Sequence, residues 1–87
     1  MLRWKVIFSL DAQDDLDNLS RSVRDRVFDK LGWFENNFDS ITPLLLTGKF
    51  NGFYKLRVGD WRVMYQIDWN KNYIIIHVID HRSNIYK

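Results

Sequence analysis

The stretch that decides the fold is residues 53–68, FYKLRVGDWRVMYQID, in which apolar and polar residues alternate on both sides of a central Gly59-Asp60 pair. Alternation with a period of two is typical of β-strands that have one buried face. A two-residue connection with glycine in the first position favours a type II′ turn, which joins antiparallel strands. These residues therefore predict a β-hairpin whose loop is Gly59 and Asp60.

The register of this hairpin follows from its loop. The predicted cross-strand pairs are Val58 with Trp61, Arg57 with Arg62, Leu56 with Val63, and Lys55 with Met64. Because successive side chains point to opposite faces, the hairpin has one apolar and one basic face. The apolar set, here called the inner face, is Tyr54, Leu56, Val58, Trp61, Val63 and Tyr65. The basic set, here called the outer face, contains Lys55, Arg57 and Arg62.

The residues before the hairpin predict a strand and two helices. Residues 3–8 are rich in β-branched and aromatic side chains, which favours a strand. We expect Ser9 or Asp11 to cap a first helix and Ser20 or Ser22 to cap a second, longer one. Apolar residues recur at spacings of three and four along the second helix, as expected for a helix that covers a sheet.

The remaining segments complete an α+β fold. Residues 39–51, which contain the only proline, are expected to form a loop packed on the core, and residues 73–79 predict a further strand. The predicted order is β-α-α-β-β-β: an N-terminal strand, a helical hairpin, and then a three-stranded antiparallel sheet. The length suits one domain over residues 1–87.

The last strand has two possible registers. With a regular four-residue loop, Arg62 faces Ile79, and both His77 and His81 lie on the outer face. A one-residue slip or a β-bulge instead sends the histidines to the inner face and places Asp80 opposite Arg62. For His77, which lies between two aliphatic residues, we expect a structural role.

Composition excludes several classes of protein. The chain contains no cysteine, which excludes disulfides, thiolate metal sites and a cysteine nucleophile. Arg3 and Lys5 interrupt the first apolar run, so no signal-peptide pattern is present. No apolar run is long enough to span a bilayer. We expect a cytoplasmic protein that uses neither a membrane, nor a metal, nor a cofactor.

Charge is distributed unevenly along the chain. Residues 1–47 carry six basic and eight acidic side chains, whereas residues 48–87 carry seven basic and three acidic ones. A basic half suggests an anion-facing surface. Arg57 opposite Arg62 would also destabilise the sheet by about 0.2–1 kcal/mol, which a polyanion would offset. The ordinary alternative is a solvated face on which the cations splay apart.

Two blocks of sequence follow a known family pattern. Residues 56–65 match L-R-x-G-x-Y/W-R-V-x-Y, and residues 81–86 match H/R-R-S-x-x-Y at about the usual separation. With these blocks the whole chain resembles the RelE/ParE superfamily of type II toxins. The resemblance implies a microbial ribonuclease-like α+β fold and a cognate antitoxin that neutralises the toxin.

The resemblance also implies an activity. RelE-type members cleave mRNA in the ribosomal A site without a metal: the ribose 2′-OH attacks the adjacent phosphate and the 5′-oxygen leaves. This reaction needs cations around the phosphorane and a route for two protons. The implied partners are an antitoxin, the ribosome and mRNA. The alternatives are a ParE-like inhibitor of DNA gyrase, which would generally lack the basic residues and tyrosine, and an inactive relative that only binds nucleic acid.

Position by position, the resemblance implies roles for eight residues. The implied catalytic residues are Lys55, Arg57, Arg62, His81 and Tyr86, and the implied RNA-binding residues are Arg82, Lys49 and Lys87. Lys55 and Arg57, on the predicted strand before the turn, match a basic pair of the family. Arg62 matches the arginine that stabilises the phosphate in that family. His81 is the natural proton carrier, since histidine titrates at about pH 6.5. Tyr86 would position or stack on the substrate.

Two departures from the family pattern bear on catalysis. RelE has an arginine where this chain has Asp80, and Arg57 cannot easily act as a general base because arginine stays protonated. Because Arg62 lies on the predicted outer face, we expect Arg62→Ala to remove most toxicity while leaving the fold intact.

Overall fold

The computed structural model describes residues 3–85. In chain order its elements are β1 (Lys5–Phe8), α1 (Leu10–Asp17), α2 (Arg21–Asn37), a 3₁₀ turn (Phe38–Ser40), β2 (Leu44–Leu45), a second 3₁₀ turn (Gly48–Phe50), β3 (Tyr54–Val58), β4 (Trp61–Asp68), β5 (Tyr73–His81) and α3 (Arg82–Ile85). The strands form a five-stranded sheet in the order β1-β5-β4-β3-β2. Only the β1–β5 pairing among these is parallel. None of the helices within residues 3–85 has the length and apolar character needed to cross a membrane.

Serine side chains begin the two longer helices. The Ser9 Oγ accepts a hydrogen bond from the backbone N–H of Ala12 at 3.1 Å, and the Ser20 Oγ accepts one from Val23 at 3.4 Å. Each bond satisfies a backbone donor that has no partner inside the helix. Ser9 rather than Asp11 therefore caps α1, and Ser20 rather than Ser22 caps α2.

Aromatic rings fill the space between α2 and the inner face of the sheet. Phe34 and Tyr65 are 2% and 1% exposed, and their ring centroids lie 5.2 Å apart in an edge-on arrangement. Phe38 joins them, with its centroid 5.1 Å from that of Phe34. Burial raises the pKa of the Tyr65 hydroxyl well above its ordinary value. The predicted inner face is therefore the face that packs against the helices.

The hairpin has the predicted register. All four predicted pairs are present, and Tyr54 pairs with Tyr65 beyond them. Gly59 has a φ of +60°, in the left-handed region that glycine adopts without a steric penalty, and the following Asp60 does not share it. This combination agrees with the type II′ turn that the glycine predicted.

Residues 39–51 differ from the prediction of a loop packed on the core. Leu44 and Leu45 form a two-residue strand paired with β3, and they are 55% and 60% exposed. The Leu46 N–H continues the pairing through a 2.9 Å bond to the carbonyl of Phe53. Hydrogen bonding to the open edge of β3 decides the position of this segment, and a two-residue strand carries too little alternation to be recognised in the sequence.

A β-bulge interrupts the pairing of β4 with β5. Ile74, Ile76 and Ile79 are all buried in the inner core, although their spacing of two and then three does not suit a regular strand. The register shifts between Met64 and Tyr65, so that His77 has no residue directly opposite it. The extra residue returns Ile79 to the inner face.

The bulge decides between the two registers of β5 that the sequence left open. Beyond it, Arg62 lies opposite Asp80 and Trp61 lies opposite His81. The regular register, which placed Arg62 opposite Ile79, is wrong, and the bulged alternative is confirmed for Asp80 and His81. It is wrong for His77, which is the extra residue of the bulge and packs against Phe53 instead of entering the inner core. His81 is accordingly paired with an inner-face residue.

Candidate functional site

Three charged residues form a row across the central strands on the outer face. Arg57 of β3 lies opposite Arg62 of β4, which in turn lies opposite Asp80 of β5. Lys55 lies on the same face, two residues before Arg57. The prediction that Lys55, Arg57 and Arg62 share the outer face is confirmed. Asp80 adds a carboxylate that lowers the repulsion between the two arginines.

Arg62 is buried, with only 7% of its surface exposed. Its Nη1 donates hydrogen bonds to the carbonyl oxygens of Gly59 at 2.8 Å and Trp61 at 2.9 Å. These bonds hold the hairpin turn, and a buried carbonyl left without its donor costs about 1–3 kcal/mol. The expectation that Arg62→Ala leaves the fold intact rested on an accessible side chain, and that premise is wrong. A catalytic role for Arg62 stays a prediction.

Arg57 is the exposed member of the row. Within residues 3–85 it forms no ion pair with a carboxylate. Its strand pairs with β4 along its whole length and with β2 at Tyr54 and Lys55, so the sheet fixes the Arg57 backbone while the guanidinium faces solvent. A guanidinium in this setting can donate two parallel N–H bonds to a phosphate. Lys55, which is half-buried, lies beside it.

The His81 ring lies at the end of β5, where α3 begins. It meets the Trp61 ring edge-on, with 5.4 Å between centroids. Its Nδ1 accepts a hydrogen bond from the Ser83 backbone N–H at 3.2 Å and lies 2.9 Å from the Ser83 Oγ. A backbone N–H can only donate, so the neutral ring carries its proton on Nε2. When the ring is protonated, Nδ1–H can donate to the Ser83 Oγ instead.

Carboxylates attach α3 to the sheet and to the hairpin turn. The Asp80 Oδ1 accepts hydrogen bonds from the backbone N–H of His81 at 2.7 Å and from the Asn84 Nδ2 at 2.9 Å. The Arg82 N–H donates to the Asp60 carbonyl at 2.9 Å, and the Arg82 Nε lies 3.7 Å from the Asp60 Oδ1. These contacts place His81 and Arg82 beside the turn that Arg62 holds. The His81 ring lies on the inner side against Trp61, so the structure does not bring it into the outer-face row.

Asp15 of α1 supports β5 from the other side. Strand β1 pairs with β5 only as far as Ile76, and beyond that point the Asp15 Oδ2 accepts a 2.9 Å hydrogen bond from the Ile79 N–H. Burial raises the pKa of the Asp15 carboxyl above its ordinary value, and the negative charge of Asp80 raises it further. Asp15 therefore fixes the strand immediately before Asp80, at some electrostatic cost.

Comparison with known proteins identifies the family. The model of the ParE toxin family, toxins of the type II toxin-antitoxin system parDE, matches residues 6–86. The chain belongs to this family. A comparison with curated proteins gives no match.

Solved structures of RelE-type and YoeB-type toxins share the fold. The toxin chain of the RelBE2 toxin-antitoxin complex from Mycobacterium tuberculosis aligns with a TM-score of 0.80 at 24% identity, covering 93% of this chain and 100% of that one. The isolated E. coli RelE toxin aligns with a TM-score of 0.74 at 20% identity, covering 95% of this chain and 90% of that one. A chain of the YoeB-YefM complex from Staphylococcus aureus aligns with a TM-score of 0.68 at 21% identity, covering 92% of this chain and 98% of that one. These likenesses confirm the α+β fold of the toxin.

The remaining predicted site residues of the toxin lie elsewhere. Lys49 is in the second 3₁₀ turn, at the end of β3 opposite to the Gly59 turn, with its Nζ 5.2 Å from the centre of the Phe50 ring. The structure therefore does not bring Lys49 to the outer-face row. Tyr86 and Lys87 lie outside the described residues. The His77 ring packs edge-on against Phe53 at 5.3 Å, which agrees with the structural role expected for it.

The sequence did not predict how the carboxylates of the toxin organise the site. The residue directly before α3 is His81, and its Nδ1 accepts the Ser83 N–H as a helix cap does. Asp80 lies one residue earlier and binds the Asn84 side chain, and the bulge was needed to place it beside Arg62. No sequence signal connects Asp15 with Ile79, because the contact joins residues that are far apart in the chain.

Proposed function

We propose that the toxin is an endoribonuclease that cleaves mRNA in the ribosomal A site without a metal ion. The observation that carries the proposal is the outer-face row. Arg57 is exposed there and forms no ion pair within residues 3–85, on a strand paired along its length with β4 and opposite a second arginine. Rigid placement of cations is what stabilisation of a phosphorane requires.

In the proposed reaction, the ribose 2′-OH gives up its proton to solvent as its oxygen attacks the adjacent phosphorus, and the bond from phosphorus to the 5′-oxygen breaks. The products are a 2′,3′-cyclic phosphate and a 5′-hydroxyl. Arg57 and Lys55 would donate hydrogen bonds to the phosphorane oxygens, where negative charge increases in the transition state. Arg62 lies opposite Arg57, and its Nη1 is bound to two carbonyl oxygens. Its positive charge would help to stabilise the phosphorane from that position.

His81 would deliver a proton to the departing 5′-oxygen. Because the His81 ring lies on the inner side beside Trp61, this role requires the RNA to bend around the end of β5. Its Nδ1 is engaged by Ser83 in either protonation state, through the backbone N–H or through the hydroxyl. Nε2 is then the nitrogen that exchanges protons with the substrate. We retain substrate stacking for Tyr86 and RNA contacts for Arg82, Lys49 and Lys87, as the family resemblance implies.

We further propose that a cognate antitoxin binds and neutralises this toxin in the cytoplasm. Three observations on related proteins support the proposal. The family is defined by type II toxin-antitoxin systems, and both the RelBE2 and the YoeB-YefM structures are toxin-antitoxin complexes. Co-expression of the toxin with the product of a small adjacent reading frame, followed by co-purification, tests the pairing.

Primer extension on a defined mRNA tests the proposed cleavage. The purified toxin is incubated with the mRNA alone and with programmed ribosomes. We expect breaks that require ribosomes, map to the A site and leave a 5′-hydroxyl, which can be labelled by polynucleotide kinase without phosphatase. The absence of breaks from a folded protein would contradict the proposal.

The family match favours one other function. Because the matching model is that of ParE toxins, inhibition of DNA gyrase is the second candidate. A supercoiling assay with purified gyrase separates the two. Inhibition of supercoiling together with intact mRNA would replace the ribonuclease proposal by the gyrase one.

A further inference from the structure

The Gly59-Asp60 turn is contacted by arginines from both layers of the protein. From the sheet, the Arg62 Nη1 donates to the Gly59 carbonyl at 2.8 Å. From α2, the Arg26 guanidinium occupies the space that a Cβ at position 59 would fill. Glycine therefore serves two purposes here, since it permits a φ of +60° and it lets Arg26 lie against the backbone.

Arg26 differs from its neighbour Arg24 in what it binds. The Arg24 guanidinium donates to the carbonyl oxygens of Leu16 and Leu19, both at 3.1 Å, and so joins the end of α1 to α2. Arg26 is exposed, and within residues 3–85 it forms neither an ion pair nor a side-chain hydrogen bond. The Arg24 guanidinium is thus engaged by the fold, whereas the Arg26 guanidinium can still bind an anion.

The charges around the turn are predominantly positive. Arg26, Arg62 and Arg82 all contact it, and its single carboxylate, Asp60, already faces Arg82. The Arg82 side chain nevertheless stays 59% exposed. Like charges brought together repel one another unless an anion lies between them. Guanidinium groups bind phosphate oxygens through paired N–H donors, so a phosphate is the anion that suits this arrangement.

We propose that Arg26 and Arg82 bind a backbone phosphate of RNA at the Gly59-Asp60 turn, next to the phosphate held by Arg57. The RNA strand then passes from the outer face over the turn toward α2. This inference rests on the proposed ribonuclease function and adds a binding site outside the reacting atoms. Arg26 contributes affinity, and the chemical step does not depend on it.

Fluorescence anisotropy with a 2′-O-methyl RNA oligonucleotide tests the site. This RNA lacks the attacking hydroxyl and remains intact during the measurement. Wild type is compared with Arg26→Gln and with Arg21→Gln, which removes the same charge from an exposed position of the same helix. We expect Arg26→Gln to weaken binding by about five- to tenfold at low salt, and Arg21→Gln to change it less than about twofold.

The salt dependence of binding gives a second readout. Loss of one phosphate contact on a single strand lowers the slope of log K against log salt by about 0.7. We expect this change for Arg26→Gln alone and a partial recovery of affinity in Arg26→Lys, which keeps the charge but not the planar fork. Equal weakening in Arg21→Gln would show that only net charge matters, and would overturn the inference.

Ribosome-dependent cleavage by the same variants separates this inference from the proposed function. We expect Arg26→Gln to raise KM and to leave kcat unchanged. If wild type cleaves mRNA while Arg26→Gln has the wild-type KM and affinity, the phosphate site alone is refuted. If wild type neither cleaves mRNA nor binds the oligonucleotide, the proposed function and the phosphate site both fail.

Discussion

The inner and outer faces of the central strands are held in place by different forces. On the inner face, Phe34 and Tyr65 are almost completely buried, and their positions follow from the exclusion of water from a shared core. On the outer face, Arg62 is held by two carbonyl oxygens, whereas Arg57 directly opposite it faces solvent. Stability therefore depends on the inner face and on Arg62, whereas Arg57 is the residue that we propose to bind an anion.

The largest effect on stability is expected from the inner face. Phe34→Ala removes a ring that contacts both Phe38 and Tyr65, and such substitutions lower the free energy of unfolding by about 3–5 kcal/mol. Phe28→Ala on the same helix is the matched control, because Phe28 is 46% exposed. Urea unfolding followed by tryptophan fluorescence measures both. A similar loss in the two variants would show that α2 does not pack as described.

A smaller loss of stability is expected at Arg62. Arg62→Gln shortens the side chain and leaves the carbonyl oxygens of Gly59 and Trp61 without their donor, which lowers the free energy of unfolding by about 1–3 kcal/mol. Arg57→Gln changes an exposed side chain, and we expect its stability to stay within about 0.5 kcal/mol of wild type. If Arg62→Gln unfolds at the same urea concentration as Arg57→Gln, Arg62 does not hold the turn.

The smallest effect is expected at Asp15 and depends on pH. The pKa of this carboxyl is raised in the fold, so the wild type gains stability from Asp15 as it becomes protonated, and this contribution is lost as pH rises through the raised pKa. Asp15→Asn keeps an oxygen acceptor for the Ile79 N–H and removes the charge that faces Asp80. We expect the variant to be more stable at neutral pH by no more than about 1 kcal/mol.

Thermal unfolding between pH 7 and pH 3 measures the Asp15 effect. The advantage of Asp15→Asn shrinks as pH falls through the raised pKa of Asp15 and levels off below about 4, where the unfolded wild-type carboxyl is also protonated. An advantage that is constant over this range would mean that charge is not its cause.

The parts of the molecule that were predictable from sequence are those that local pattern determines. Glycine at the first turn position and strict alternation around it predicted the hairpin register, and that register is confirmed. The family resemblance, carried by the two blocks at residues 56–65 and 81–86, is confirmed by the family model over residues 6–86. Both rest on residues that are close in sequence.

The unpredicted parts depend on contacts between distant residues. Burial of Ile74, Ile76 and Ile79 on one face requires a bulge, and the bulge is what brings Asp80 opposite Arg62. Alternation assigned Arg62 to the outer face correctly but says nothing about where a long side chain bends. Its burial follows from carbonyl oxygens at the turn, which only the folded hairpin presents together.

Arg62 holds the hairpin turn, and we propose that Arg57, directly opposite it, binds the reacting phosphate, so a substitution at Arg57 separates catalysis from stability. Ribosome-dependent cleavage of a defined mRNA is measured for wild type, Arg57→Gln and the charge-matched control Arg21→Gln, after each protein is shown to be folded. We expect Arg57→Gln to lower the cleavage rate by about 10²–10³, as loss of a transition-state donor does, and Arg21→Gln to cleave at the wild-type rate. Wild-type cleavage by a folded Arg57→Gln protein would contradict the account.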